Sequence, residues 1–410
     1  MWIGILGALV LIGVAVLASE NRRGIDLPLV ARAFVLQVLI GVIVLYIPAG
    51  QQALGALAEG VQGIIGHAKA GADFLFGSLS RDGNLGFIFV VQVLPVIVFI
   101  SALMSVLYYL NIMQRVVLVL GTALRWVVGS SRVVSLCAVA NVFVGQTEAP
   151  LVVKPYLGRL SREQFFTVMC SGLASISGAI LVGYSALGIE LEYMIAASFM
   201  AAPGGLLMAN LLVPVPKGDD SSDEAIRELN IYADGEKPAN VFDAAAEGAS
   251  TGVRLAVNIG AMLLAFIALI SLANGLLSWL GSWVGLEGFT LDTIFSWVFA
   301  PLMYLMGVPW EEALAAGNLM GQKVVLNEFV AFVTMTEMQG DLSPQTLAIS
   351  TFALCGFANL SSLAILIGGL GSLVPERRRD ISTLGLKAVL AGSLSNLMSA
   401  AIAGLLLFGF

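Results

Sequence analysis

Long apolar stretches alternate with short polar breaks along this chain. They fall roughly at 2–19, 29–48, 87–110, 132–154, 164–187, 191–213, 253–281, 293–307, 311–337, 346–371 and 383–409. Runs near 20 residues are long enough to cross a bilayer as helices. Others are too short, or too interrupted by polar residues, to do so. Residues 51–84 are Ala/Gly-rich with scattered apolar positions, which predicts a helix lying in the membrane interface. Residues 113–132 read the same way. The one long polar segment, 216–250, predicts a flexible loop that divides the chain in two.

Composition makes this an all-α polytopic membrane protein. The 410 residues are 58% hydrophobic and 11% charged, against about 25% charged in soluble domains. The net charge of −7 carries little, because orientation follows the placement of Lys and Arg rather than their sum. Those at 22–32, 115–162, 217–254 and 377–387 share one face if 132–160 and 293–343 each enter and leave by the same side. Lys69 and Arg81 then lie opposite, and Lys323 lies within the second such segment. The expected architecture is eight transmembrane helices, two opposed re-entrant helical hairpins and interfacial helices. The basic-rich face is expected to be cytoplasmic, which puts both termini outside. The first apolar run lacks a basic leader and reads as a retained helix. Cys137, Cys170 and Cys355 sit in apolar runs and read as buried thiols. His67, the sole histidine, reads as a surface residue.

An internal repeat supports the hairpins. Gly172–Leu173–Ala174–Ser175–Ile176–Ser177 aligns with Gly356–Phe357–Ala358–Asn359–Leu360–Ser361. Each copy follows a polar-tipped segment, "GQTEAP" or "LNEFVA". With the two helices running oppositely this is an inverted repeat, the build of many secondary transporters. The implied divisions are 1–110 (mostly scaffold), 111–215 (first half of a transport domain), 216–285 (polar loop and scaffold span) and 286–410 (second half).

Glu148 and Glu328 are the sharpest chemical signals. A carboxylate at membrane depth costs about 2.5–3.5 kcal/mol even on lenient scales, so it normally faces a cavity. The alternative is a structural carboxylate paired with Lys323, Lys154 or backbone N–H groups. With Gln146 nearby, the pair suits a neutral solute rich in hydroxyl and N–H groups. No arginine in either polar cluster would clamp an anion. Asn359, Ser361 and Ser362 add polar groups, and Phe357 offers either core packing or a ring face. Asn141 and Ser175 supply neutral oxygens that, beside unwound backbone, could hold Na⁺. Without a Walker loop, an H-E-x-x-H motif or a second histidine, the chain does not read as a pump or an enzyme.

At "GQTEAPLVVKPYL", "GQKVVLNEFVAF", "CGFANLSS" and "AASFMAAPGG" the chain resembles the concentrative nucleoside transporter family nearly end to end. The resemblance implies a homotrimer in membrane lipid, with a transport domain moving elevator-fashion past a scaffold. It implies no enzymatic activity, no cofactor beyond Na⁺ as coupling ion, and no nucleic-acid partner. By position it implies nucleobase contacts from Gln146, Thr147 and Glu148, with Gly145 allowing close approach and Phe357 and Ile180 packing nearby. It implies ribose contacts from Glu328, Asn359 and Ser362. It implies a sodium site at Asn141, Val144, Ser175 and Ile176. Proton-using members tend to differ at the position of Asn141, so its presence favours sodium. A proton-coupled symporter and a passive pore remain the alternatives.

Overall fold

The computed structural model describes residues 2–81, 88–216, 237–283, 285–286 and 288–409. Among these residues every regular element is helical. The N-terminal part holds α1 (Trp2–Leu17), α2 (Leu27–Gly41, continued by a π turn over Val42–Tyr46), α3 (Pro48–Phe76), α4 (Leu94–Tyr109) and α5 (Ile112–Val128). Next come α6 (Arg132–Phe143), a 3-10 turn at Ala149–Val153, α7 (Lys154–Leu157), α8 (Arg162–Ala174), α9 (Gly178–Ala186) and α10 (Leu191–Leu212). The 43-residue α11 (Val241–Trp283) leads to α12 (Leu291–Leu305), α13 (Trp310–Val325) and α14 (Glu328–Glu337). The chain closes with α15 (Pro344–Leu354), α16 (Leu360–Gly368), α17 (Leu370–Leu373) and α18 (Arg378–Phe408).

Among the described residues six helical stretches are long and apolar enough to cross a membrane, or seven if the pair α12 and α13, bent by 117°, counts as one. Two of the eight expected spans fall outside that set. Helix α1 has only 16 residues. The span expected at 346–371 is interrupted between Leu354 and Leu360. The two segments expected at the interface are indeed helices, α3 and α5, and His67 on α3 is exposed.

One boundary differs from expectation. Residues 241–250, read as the end of the polar loop, are the first turns of α11. The Asn240 side chain caps this helix by accepting from the Asp243 amide at 3.0 Å. The Ala-rich sequence behind the cap is a strong helix former despite its polarity. Residues 217–236 of the same segment, with Lys217 and Arg227, lie outside the described residues.

The innermost elements are α8, α10 and α18, buried almost all round, whereas α11 is exposed along most of its length. Water does not drive helices together inside a bilayer, so close packing depends on small residues. Gly205 of α10 lies where a Cβ would stand 3.2 Å from Ser171 Cα on α8. Gly248 and Gly252 of α11 lie against Ser101, Ala102 and Val98 of α4, where a Cβ would come within 2.7–2.8 Å.

The turn after α1 is tied to the inner bundle by Glu20. Its carboxylate accepts from Arg162 at 2.7 Å and Lys387 at 2.8 Å. The Arg162 hydrogen bond, with help from Lys387, holds the Glu20 carboxyl down at about 2. A depressed carboxyl stabilises the fold above its unfolded value, and that contribution fades as pH falls toward the folded one. The group is about a third exposed, so solvent screening limits the loss to roughly 1 kcal/mol. We expect Glu20→Gln to flatten the fall in melting temperature of the detergent-solubilised protein between pH 6 and pH 3. An unchanged fall would remove Glu20 from the account of acid sensitivity.

Candidate functional site

Four interruptions of helix build the site. The first follows α6, where Val144 is extended and the chain turns at Gly145. The amides of Glu148 and Ala149 both donate to Gly145 O, at 3.1 and 2.9 Å. A Cβ on Gly145 would stand 2.4 Å from Glu148 Oε2, so glycine lets the carboxylate fold over the tip. The second separates α13 from α14, where Asn327 caps α14 by accepting from Val330 N at 2.9 Å. Glu328 is therefore the first residue of a helix, where the dipole favours a negative group.

The third and fourth interruptions fall within the two aligned repeat segments. Helix α8 ends at Ala174, Ser175 is extended, and Ser177 caps α9. Helix α15 ends at Leu354, and Asn359 caps α16 by accepting from Ser362 N at 2.7 Å. The breaks touch, because Phe357 N donates to Ser175 O at 3.3 Å.

One cavity of ≈ 520 Å³ lies where these breaks meet, a normal size for a small-molecule site. Gly145, Gln146, Thr147, Glu148, Ile180, Glu328, Phe357, Asn359 and Ser362 all line it. Glu328 is buried, with Tyr184 Oη donating to Oε1 and Asn359 Nδ2 donating to Oε2, both at 2.9 Å. Asn359 thus both caps α16 and holds the carboxyl. Ser361 Oγ donates to Asn359 Oδ1 at 2.7 Å. Gln146 Nε2 reaches Ser362 Oγ at 3.5 Å, while its Oε1 is buried with no partner. A buried acceptor left open beside a cavity is available to a ligand donor. Thr147 packs on Gly369, where a Cβ would clash with Thr147 Cγ2.

Beside this cavity lies a cluster of neutral oxygens. Asn141 donates through Nδ2 to Cys137 O at 3.0 Å and Ser171 Oγ at 3.2 Å. Its Oδ1 is buried and unpaired. Ser175 Oγ is 3.1 Å from Asn141 O and 3.4 Å from Ile176 O. Val144 lies at the turn and lines an adjoining cavity of ≈ 220 Å³, shared with Glu148 and Ser177.

Lys323 does not pair with a carboxylate. It is fully buried, and its Nζ donates to Ala353 O at 2.6 Å and Asn396 Oδ1 at 2.7 Å. Among the described residues no ion pair joins either hairpin carboxylate to a lysine or arginine. The three cysteines are free and buried, as their apolar runs indicate.

Sequence reasoning missed several lining residues. Tyr184 is the most consequential, packed edge-on against Phe329 and tilted against Phe332 with ring centroids 5.0 and 4.5 Å away. The signal was a tyrosine inside an apolar helix, whose hydroxyl needs a partner once buried. Thr251, Arg254 and Asn258 of α11 also line the cavity. Their three- and four-residue spacing puts them on one face of an otherwise apolar helix. Arg254 brings to the cavity a cation that neither polar cluster contains. We expect Tyr184→Phe to weaken ligand binding in this cavity roughly tenfold, the worth of about 1.5 kcal/mol for a hydrogen bond to a carboxyl group. Binding within twofold of wild type would show that the hydroxyl does not position Glu328.

Comparisons with known proteins agree on one family. The family models described as Na+ dependent nucleoside transporter N-terminus and C-terminus match residues 6–79 and 193–404. A third, described as nucleoside recognition, matches 90–190. The chain is 51% identical to an uncharacterized transporter of Haemophilus influenzae, covering 98% of this chain and 96% of that one. It is 47% identical to the nucleoside permease NupC of Helicobacter pylori, with 98% and 96% covered. The solved structure of CNTnw in an inward-facing substrate-bound state superposes with a TM-score of 0.92 at 49% identity, covering 99% of this chain and 97% of that one. The chain belongs to the concentrative nucleoside transporter family.

Proposed function

We propose that this protein is a secondary active symporter that imports uridine-like nucleosides across a bacterial inner membrane, driven by a sodium gradient. The observation that carries the proposal is the single cavity lined from both hairpin tips and both helix breaks, with Glu328 held between two donors. Glu328, Asn359 and Ser362 are assigned to the ribose hydroxyls. Gln146, Thr147 and Glu148 are assigned to the base, with Gly145 allowing close approach; the base N–H groups match the open Gln146 acceptor and the Glu148 carboxyl. Phe357 and Ile180 supply apolar faces.

The neutral oxygen cluster fits sodium, since Asn141 Oδ1 is buried without a partner among other neutral oxygens. Asn141, Val144, Ser175 and Ile176 would hold the ion, which would supply a charge tying the first hairpin to the break in α8–α9. Eight spans, two opposed hairpins, an inverted repeat, both termini outside and a homotrimer complete the reading. The divisions 1–110, 111–215, 216–285 and 286–410 belong to it too. The close α4–α11 pair is assigned to the scaffold, and the cavity would move past α11 elevator-fashion. Contact of Thr251, Arg254 and Asn258 with the cavity fits that arrangement.

The test is uptake of radiolabelled uridine into proteoliposomes. Accumulation above the external concentration only with an inward sodium gradient supports the proposal. Accumulation driven by a pH step without sodium replaces it with proton coupling. Equilibration without accumulation replaces it with a passive pore.

A further inference from the structure

We propose that Lys323 and Asn396 form a positioning pair that couples the sodium side of the centre to the nucleoside side; this rests on the sodium reading above. Interrupting a helix frees carbonyls that lipid cannot satisfy, so they need protein partners. Here the two interrupted helices share one partner. Asn396 of α18 donates through Nδ2 to Ala174 O at 2.6 Å and to Cys355 O at 2.9 Å. Ala174 is the last residue of α8, and Cys355 immediately follows α15. The remaining Asn396 atom, Oδ1, accepts from Lys323 Nζ, which also donates to Ala353 O in the last turn of α15. Every polar atom of the amide is therefore committed, each to a different element of the centre.

The location favours a cation. The negative dipole ends of α8 and α15 converge on this point, and both side chains are buried, with Lys323 fully enclosed and Asn396 1% exposed. Gly356 makes room, because a Cβ there would stand 2.2 Å from Asn396 Oδ1. Covalent continuity does the rest. Ser175, assigned to the ion, directly follows Ala174. Phe357 and Asn359, assigned to the nucleoside, lie two and four residues beyond Cys355. Lys323 lies on α13, five residues before Glu328. Fixing Ser175 with an ion therefore fixes, through one amide, the segment carrying Phe357 and Asn359 and the hairpin carrying Glu328. Without that amide the breaks are joined directly only by the 3.3 Å bond from Phe357 N to Ser175 O.

The experiment measures uridine Kd on the purified full-length protein in detergent, in saturating sodium and in choline. The quantity read is the ratio of the two values. Coupling between sites commonly amounts to about 5–150-fold. Asn396→Asp keeps an acceptor for Lys323 but cannot donate to Ala174 O or Cys355 O, and Lys323→Met removes the cation. Either folded variant is expected to lose at least about fivefold of the sodium enhancement, or all of it where wild type has less. A ratio within twofold of wild type overturns the proposal. So does an equal loss of affinity in sodium and in choline, which would mark a purely structural role. A wild-type protein whose uridine affinity ignores sodium overturns the sodium reading and this inference with it. Hydrogen exchange on the wild type decides the matter if neither variant folds. Sodium alone should then protect Gly356–Asn359 as well as Ser175–Ser177, and protection confined to the first break overturns the pair's role.

Discussion

Glu328→Gln is expected to lower uridine uptake efficiency at least about hundredfold while leaving the protein folded. Both Glu328 oxygens are already used as acceptors, by Tyr184 and by Asn359. Glutamine keeps the shape but offers one oxygen and one NH2 group. Whichever way it turns, one buried donor loses its acceptor: Asn359 Nδ2 in one orientation, and in the other the Tyr184 hydroxyl proton, whose oxygen then accepts from the glutamine. An unpaired buried polar group costs about 1–3 kcal/mol, and a bond to the ligand hydroxyl is lost as well. Together these approach 2.7 kcal/mol, or about two decades in rate efficiency. The measurement is initial uptake in proteoliposomes across a range of uridine concentrations, paired with a melting curve. Efficiency within threefold of wild type would remove Glu328 from the substrate site. Glu148→Gln should cost less. Glu148 lines the same cavity from a turn, without the two donors that hold Glu328.

What could be read without coordinates follows from how costly polar groups are inside a membrane. Glu148, Glu328, Asn141 and Asn359 stand out because an apolar helix has no cheap reason to carry them. Gly145 and Pro150 mark a break that local backbone chemistry enforces. The matched segments at 172–177 and 356–361 read as parts of two spanning helices, and both helices in fact break there. What stayed hidden depends on which atom meets which across the bundle. Lys323 reads in the sequence as a partner for a carboxylate, since charge is all that a sequence shows. The actual partners, a backbone carbonyl and Asn396 73 residues away, exist only because two helix ends meet at α18. Tyr184 signals in the sequence only that its hydroxyl needs a partner; that the partner is Glu328, 144 residues away, does not show there. The start of α11 was misjudged for a different reason: solvated Ala-rich helix and polar loop look alike in hydropathy, and only the Asn240 cap separates them.

Asn141→Leu is expected to abolish concentrative uptake. One Na⁺ crossing ~100 mV contributes about 2.3 kcal/mol, and a tenfold concentration ratio adds about 1.4. That sum sustains an accumulation of, on the order of, a few hundredfold. Leucine has the same branched heavy-atom framework as asparagine but no oxygen, so it deletes the buried, unpaired Oδ1. It also removes the Nδ2 bond to Cys137 O within α6 and the one to Ser171 Oγ, which holds α6 against α8. Asn141→Asp separates the two effects, since it keeps an oxygen in place while losing those donors. Under an imposed ~100 mV potential and tenfold sodium ratio, the leucine variant should bring internal uridine only to the external level. The aspartate variant should retain sodium-stimulated accumulation, at a shifted sodium requirement. If the leucine variant still concentrates uridine on a sodium gradient, the ion binds elsewhere. If both variants equilibrate uridine without accumulating it, the helix contact rather than the oxygen carries the coupling.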